Sequence, residues 1–222
     1  MAEQLKAGAE AEVITEEQLR KAEEYVQQEE GAANRLSGWV GVAVTAIAVA
    51  MTLFHLYAAY DIVPTIPLRY THVAFVLVLS FLLFPVSDRF RNRIQWFDVV
   101  PPLIGVATII YALMQGDDFT DRAAVPEKWD VILGAIFILL VLEAARRTTG
   151  WIMPVVSIFF IAYAMLGPHL PAPWTHRGYD LPRLVGHLFI TLEGIFGVAV
   201  DVSATLIILF TIYGAFLAQS GA

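Results

Sequence analysis

The chain has 222 residues, of which 58% are hydrophobic and only 16% are charged. A soluble domain of this length has no core large enough to bury so much apolar side chain, so the composition predicts an integral membrane protein. The formal net charge of −7 argues against nucleic acid as a partner, and the absence of cysteine excludes disulfides, thiol catalysis and thiolate metal ligands.

Residues 1–37 form an acidic tail with nine acidic and four basic side chains. The tail has no apolar stretch of signal-peptide length, so it is predicted to be a cytoplasmic, soluble segment. Thr15 followed by Gln18 fits a capping box, and apolar side chains then recur at helical spacing until Gly31. The pattern predicts an amphipathic helix, either a solvated helix with many charges or, as the alternative, a docking helix for a partner.

Six later segments are apolar enough to cross a bilayer, which requires about 20 residues of helix for a hydrocarbon core of about 30 Å. No segment alternates apolar and polar residues with period two, so helices are predicted rather than a barrel. The five tryptophans fall at or near the ends of these segments, where an indole ring is stable at the level of the lipid headgroups. The predicted spans are 39–60, 71–86, 99–115, 129–145, 151–170 and 202–220.

The distribution of basic residues predicts that the amino terminus is cytoplasmic. With that orientation, nine of the fourteen Lys and Arg residues lie on the inner side. Arg89, Arg91 and Arg93 stand together in one inner loop, whereas the following outer loop is acidic. Six spans then return the carboxyl end to the cytoplasm.

Ionisable residues at membrane depth are costly unless they are paired, so each is a functional candidate. Glu143 precedes Arg146 and Arg147 by three and four positions, which predicts an ion pair on one face of the fourth span. This arrangement has a structural explanation and needs no function.

Glu193 and Asp201 flank a glycine-rich stretch that is too short and too polar to cross the membrane. Gly194 and Gly197 favour a break, and residues 187–200 are predicted to form a short interfacial arm on the outer side. Asp201 is interpreted as the cap of the last helix rather than as an ion ligand, because a carboxylate just before a helix accepts a free backbone N–H.

No set of residues predicts catalysis. Ser203 lacks a glycine-flanked elbow, and no histidine is expected beside it at the same depth, so a serine protease is not supported and the chain is not predicted to be an enzyme. His55 and His72 lie at similar depths, as two axial ligands of a haem would, but interfacial histidines are commoner than haem ligands. No catalytic, cofactor-binding or metal-binding residue is therefore assigned.

Several short motifs, in order and spacing, resemble the amino-terminal region of fused TRAP transporter permeases of the TAXI type. The resemblance covers nearly everything after residue 30, although no single motif is diagnostic. The motifs are Leu36-Ser37-Gly38-Trp39-Val40-Gly41, Ile66-Pro67-Leu68-Arg69 with His72, Arg146-Arg147-Thr148-Thr149-Gly150-Trp151, His176-Arg177-Gly178, Glu193-Gly194-Ile195-Phe196-Gly197, Val202-Ser203-Ala204-Thr205 and Gly214-Ala215-Phe216-Leu217.

The resemblance implies a multi-pass protein of the bacterial inner membrane that receives organic, carboxylate-bearing solutes from a periplasmic substrate-binding protein. A sodium or proton gradient drives uptake in that family. Residues 38–150 correspond to its four-helix Q-type scaffold, and residues 151–222 to the first two helices of its M-type transport portion. The family's transport sites are expected beyond Ala222, so no transport residue is carried over, and the remaining M-type portion is an expected partner.

Two other functions remain open on the sequence. A free-standing accessory or scaffold membrane protein needs no transport hairpin. A haem-bearing electron-transfer subunit would use His55 and His72, and is the less favoured of the two.

Overall fold

The computed structural model describes residues 17–21, 34 and 36–220, apart from the side chain of Asp88. Its described residues form helices and turns and no strand. The helices are α1 (Gly38–Tyr60), α2 (Thr65–Leu83), α3 (Trp96–Gln115), α4 (Lys128–Thr149), α5 (Ile152–Leu166), α6 (Leu181–Ile190) and α7 (Val198–Ser220). Shorter helical turns follow α3 and α5, at Asp117–Asp121, Arg122–Ala124 and Gly167–His169.

Within the described part of the chain, five helices are long and apolar enough to cross a membrane: α1, α2, α3, α5 with its following turn, and α7. The chain is therefore an all-α, multi-pass membrane protein, as its composition predicts. The predicted fourth span is also a helix, α4, with 22 residues, but charged side chains stand near both of its ends. These residues are Lys128, Asp130, Glu143, Arg146 and Arg147.

The helices follow the predicted spans to within six residues at each end, and two of the differences bear on the site. α2 begins at Thr65 rather than residue 71, and α7 begins at Val198 rather than residue 202. The added turns contain Arg69 and Asp201. The two charges pair with each other, so both helices continue past them.

The two ends of the helix bundle differ in charge. One end, here called the acidic end, consists of segments 61–64, 116–127 and 167–180; the opposite end, here called the arginine end, consists of segments 84–95 and 149–151. Trp39, Trp96, Trp129 and Trp151 lie within one residue of a helix start, which confirms their predicted position, whereas Trp174 lies in the loop between α5 and α6. All five are between 64% and 89% exposed, which suits rings that face lipid headgroups.

The core lies between α2, α3, α4 and α6. Its buried side chains include Phe81, Phe137 and Phe189. Residues before and after Gly150, the predicted boundary between the two regions of the chain, therefore share one core. α1 and α5 lie at the periphery and expose most of their apolar side chains, as helices that face lipid do.

The segment that follows α5 turns back into the bundle. α6 is a short α-helix that ends in a π-helical turn at Gly186–Ile190. A chain of turns then leads to α7, which starts with an α-helical turn at Val198–Val202 and continues through a second π-helical turn at Ser203–Ile207. Phe189, Ile190 and Phe196 are completely buried. The prediction of a surface-lying interfacial arm over residues 187–200 is therefore wrong, because these aromatic and aliphatic side chains fill the space between α2 and α4.

Eight residues of the acidic tail, at 17–21, 34, 36 and 37, belong to the described part of the chain. Residues 17–21 are helical, and Lys21 Nζ lies 3.0 Å from a carboxylate oxygen of Glu17. The predicted start of this helix at Thr15 and its predicted end near Gly31 lie outside the described residues.

Candidate functional site

A re-entrant segment, residues 181–197, enters the bundle from the acidic end and leaves by the same end of the fold. Its close approach to α4 depends on Gly134, where a Cβ atom would clash with Val185 and lie 2.8 Å from the Phe189 ring. Phe196 stacks on Phe137, with ring centroids 5.5 Å apart. Phe137 lies about 13 Å along α4 from its first residue, at 1.5 Å per residue, so the turn reaches well into the helix bundle.

The backbone of this turn is hydrogen-bonded within itself, as a segment buried away from water requires. The N–H of Thr191 donates to the carbonyl of Gly186 over 3.3 Å, and the N–H of Ile195 donates to that of Leu188 over 2.8 Å. A Cβ atom at Gly194 would collide with the carbonyl oxygens of Leu188 and His187. Glycine is thus needed at 194 for close packing, which supports the predicted break at this position.

Two consecutive residues of α2 hold the turn from the other side. Arg69 donates from Nη1 to the carbonyl of Phe196 over 2.9 Å and from Nε to Asp201 over 3.0 Å. The ring of Tyr70 stacks on that of Phe196 with centroids 3.8 Å apart, and its hydroxyl lies 3.4 Å from the carbonyl of Phe189. The hydrogen bonds of Arg69 and the stacked ring of Tyr70 therefore hold the turn against α2.

Asp201 does not cap the last helix. α7 begins at Val198 after Gly197, and Asp201 lies one turn inside it, with its carboxylate on Arg69. The capping prediction is wrong because the helix begins earlier than its polarity indicated. Glu193, the other carboxylate of this region, is exposed.

A chain of hydrogen bonds joins three helices on the side of the Arg69–Asp201 pair that faces the arginine end. Nδ1 of His55 lies 2.7 Å from the carbonyl of Met51, Nε2 of His55 lies 2.9 Å from Nδ1 of His72, and Nε2 of His72 lies 3.1 Å from Oγ of Ser203. The two histidines are only 1% and 3% exposed, so water contributes little to their solvation. We call His55, His72 and Ser203 the histidine chain; it connects α1, α2 and α7.

The expectation that no histidine neighbours Ser203 is wrong, because α7 begins earlier and places Ser203 beside His72. A nucleophilic serine also requires N–H donors for an oxyanion. The N–H of Ser203 already donates to the carbonyls of Ala199 and Val200. The contact is therefore better described as part of a hydrogen-bond chain than as a catalytic pair.

The two histidines are not arranged as ligands of one haem iron. Their facing nitrogens are 2.9 Å apart and bonded to each other, whereas one metal ion between them would hold the nitrogens about 4 Å apart. Among the described residues, no group of three or more His, Cys, Asp or Glu is placed to hold a metal ion.

A second polar network fixes the acidic end of the fold. The completely buried Asp130 accepts from the hydroxyl of Tyr111 over 2.8 Å and from Nε of Arg122 over 3.2 Å. Burial by itself lowers the pKa of Arg122, but the hydrogen bond and charge of Asp130, with the charge of Glu127, outweigh it and raise that pKa. This network positions the loop against which Gly186 of the re-entrant segment packs.

The predicted ion pair lies on α4 near the arginine end, beside a more deeply buried pair. Glu143 accepts from Nε of Arg146 over 2.7 Å and from Nε of Arg147 over 2.9 Å, which confirms the prediction. Arg147 also reaches Asp98 on α3, with Nη1 and Oδ1 2.6 Å apart and both side chains almost fully buried. The sequence reading missed Asp98, although an isolated carboxylate beside an apolar run must have a partner.

Comparisons of the chain with family models, with curated proteins and with solved structures found no match.

Proposed function

We propose that this chain is an amino-terminal portion of a TRAP-type permease, a secondary transporter that takes organic, carboxylate-bearing solutes from a binding protein. In this proposal a sodium or proton gradient drives uptake and no chemical conversion occurs. The observation that carries the proposal is the helix broken inside the bundle at residues 181–197. Broken helices at membrane depth are the general means by which secondary transporters expose backbone and charged groups to a solute or ion.

The membrane arrangement belongs to the same proposal. The chain crosses the bacterial inner membrane six times, α4 included, and its amino terminus is cytoplasmic, with the arginine end inside. Residues 38–150 serve as the Q-like scaffold and residues 151–222 as the start of the M-like transport region. The partners are a periplasmic substrate-binding protein and the rest of the M-type portion.

The charges at the break support a transport role. Arg69 is 12% exposed and Asp201 is 39% exposed at the side chain, so the pair is half open beside the turn rather than sealed in a core. A charged pair at membrane depth that keeps access to the surface is typical of a solute or ion pathway. A purely structural pair, like Arg147 with Asp98, is buried on both sides.

A cleft at the acidic end lies where a solute would arrive. It has a volume of about 420 Å³ and includes Arg177, Arg183 and Pro182, the last two in the first turn of α6. Arginine binds carboxylates through paired N–H donors, which fits the proposed solute class. α6 therefore contributes both to the lining of the cleft and to the re-entrant segment.

The test is an uptake assay with the intact membrane protein that contains this chain, reconstituted in liposomes. A panel of radiolabelled carboxylates is added with the substrate-binding protein, under an imposed sodium or proton gradient and without ATP. We expect uptake that requires both the binding protein and the gradient. Uptake that proceeds without either one, or that requires ATP, contradicts the proposal.

A matched pair of variants links the assay to the break. Asp201→Asn keeps the size of the side chain but removes the charge that faces Arg69, so we expect a large loss of initial uptake rate at normal expression. Asp61→Asn is the control, because Asp61 is exposed in a loop at the same end. Equal uptake rates for Asp201→Asn and the unmodified protein would show that the Arg69–Asp201 pair takes no part in transport.

A further inference from the structure

We propose that the histidine chain is a proton-binding site that holds one proton, and not two, between α1, α2 and α7. The proposal goes beyond transport of a solute and does not depend on it. It starts from the direction of each hydrogen bond, which follows from the partners at the two ends of the chain.

The carbonyl of Met51 only accepts hydrogen bonds, so Nδ1 of His55 carries a hydrogen and donates to it. In the neutral ring Nε2 of His55 then accepts, which requires a hydrogen on Nδ1 of His72. Nε2 of His72 in turn accepts from the Ser203 hydroxyl. Both neutral rings are therefore fixed in the Nδ1–H tautomer, and every polar atom of the chain is satisfied.

One additional proton fits without moving any ring. When a hydronium ion supplies it and leaves as water, Nε2 of His72 gains an N–H bond and donates to Oγ of Ser203. The serine hydroxyl then changes from donor to acceptor, and its hydrogen must rotate to another acceptor; for a helical serine the usual one is a backbone carbonyl one turn earlier. The bonds around the charged ring become charge-assisted and stronger, which tightens α7 against α2.

A second proton does not fit. It would have to bind Nε2 of His55, which would place two N–H groups against each other across 2.9 Å. The geometry thus sets the capacity of the site at one. Interacting groups of this kind titrate as a pair, with one shared step well separated from the next.

Few other charges act on the site. α1 has no Asp, Glu, Lys or Arg, α2 contributes only Arg69, and α7 contributes only Asp201, which pairs with that arginine toward the acidic end. α3 and α4 hold their charged side chains at the two ends of the fold, in the networks of Asp130 and Arg147. Protonation of the histidine chain therefore changes the net charge of this region by one.

The test is solid-state NMR of ¹⁵N-histidine-labelled protein in lipid bilayers from pH 8 to pH 4, with signals assigned by His55→Gln and His72→Gln. At pH 8 we expect the Nδ1–H tautomer for both rings. As the pH falls, we expect the two rings to shift together and take up one proton in total. The control is His187→Gln, which removes an exposed histidine and should leave both signals unchanged.

Ser203→Ala provides a second measurement if the histidine variants fail to fold. It removes the acceptor of the protonated ring, so we expect proton binding to weaken about tenfold, the difference between hydrogen bonds to charged and neutral groups. Ser157→Ala on α5 is the matched control and should have no effect.

Several results would overturn the proposal: an Nε2–H tautomer for either neutral ring, independent uptake of two protons, or no uptake by pH 4. Covalent labelling of Ser203 by a fluorophosphonate would show a nucleophilic serine instead. Because none of these measurements uses a solute, a binding protein or an ion gradient, their failure is distinct from failure of the proposed transport function.

Discussion

Replacement of Arg147 by methionine should destabilise the protein far more than the same replacement of Arg146. The two arginines are neighbours on α4 and share the carboxylate of Glu143. Their difference lies in burial: the side chain of Arg147 is 2% exposed and that of its second partner, Asp98, is 0% exposed, whereas the side chain of Arg146 is 18% exposed.

The size of the effect follows from what remains after each change. In Arg147→Met, the buried Asp98 keeps only the N–H of Gln95, 3.0 Å away, as a donor. Removal of one partner from a buried ion pair costs about 3–5 kcal/mol. In Arg146→Met, Glu143 still has Arg147 and some solvent, and a partly exposed pair is worth about 0–1 kcal/mol.

The measurement is thermal unfolding in one detergent, followed by tryptophan fluorescence. For a chain of this size about 1 kcal/mol corresponds to about 2–4 °C in Tm, so Arg147→Met should lower Tm by roughly 6–20 °C and Arg146→Met by about 4 °C at most. Adding Asp98→Asn to Arg147→Met removes the unpaired charge and should recover part of the loss. Equal shifts for the two arginine variants, or no recovery in the double variant, would refute the reasoning.

Three further predictions concern the re-entrant segment and the orientation of the chain. Gly134→Ala should force α4 and α6 apart and cost about 1–3 kcal/mol in the same unfolding assay, whereas Gly214→Ala, which has open space around it, should be neutral; equal effects contradict the close packing. Tyr70→Phe keeps the stacked ring and should cost about 1 kcal/mol at most, against about 3–5 kcal/mol for Tyr70→Ala. Because the chain lacks cysteine, Thr175→Cys should react with a membrane-impermeant maleimide on intact cells and Ser87→Cys only after lysis; the reverse pattern would invert the proposed topology.

The positions of the helices were predictable because they depend on local properties of the chain. An apolar run of about 20 residues must be helical in a bilayer whatever its neighbours are, and an indole ring is stable at an interface in any fold. The Glu143 contacts were predictable for the same reason, since its arginine partners lie three and four positions away on one helix. Neither inference needs knowledge of a distant residue.

The candidate site was not predictable in this way, because its contacts join residues far apart in sequence. Arg69 and Asp201 are separated by 132 positions. A lone charge at the edge of an apolar run is compatible with the end of a span or with a buried pair, and only the position of the partner distinguishes the two. Because of the same ambiguity, the predicted starts of α2 and α7 lie several residues too late in the chain, and the contact between His72 and Ser203 was not predicted.

The sequence by itself determined that this protein is an all-α, multi-pass membrane protein with a break near Gly194, because membrane insertion and glycine geometry are properties of short segments. Only the tertiary structure decided that the break lies inside the bundle. That outcome depends on whether other helices leave room, and Gly134 on α4 provides it where any larger side chain would exclude Val185 and Phe189. Space between helices is a property of the assembled fold, so it has no signature in the segment that fills it.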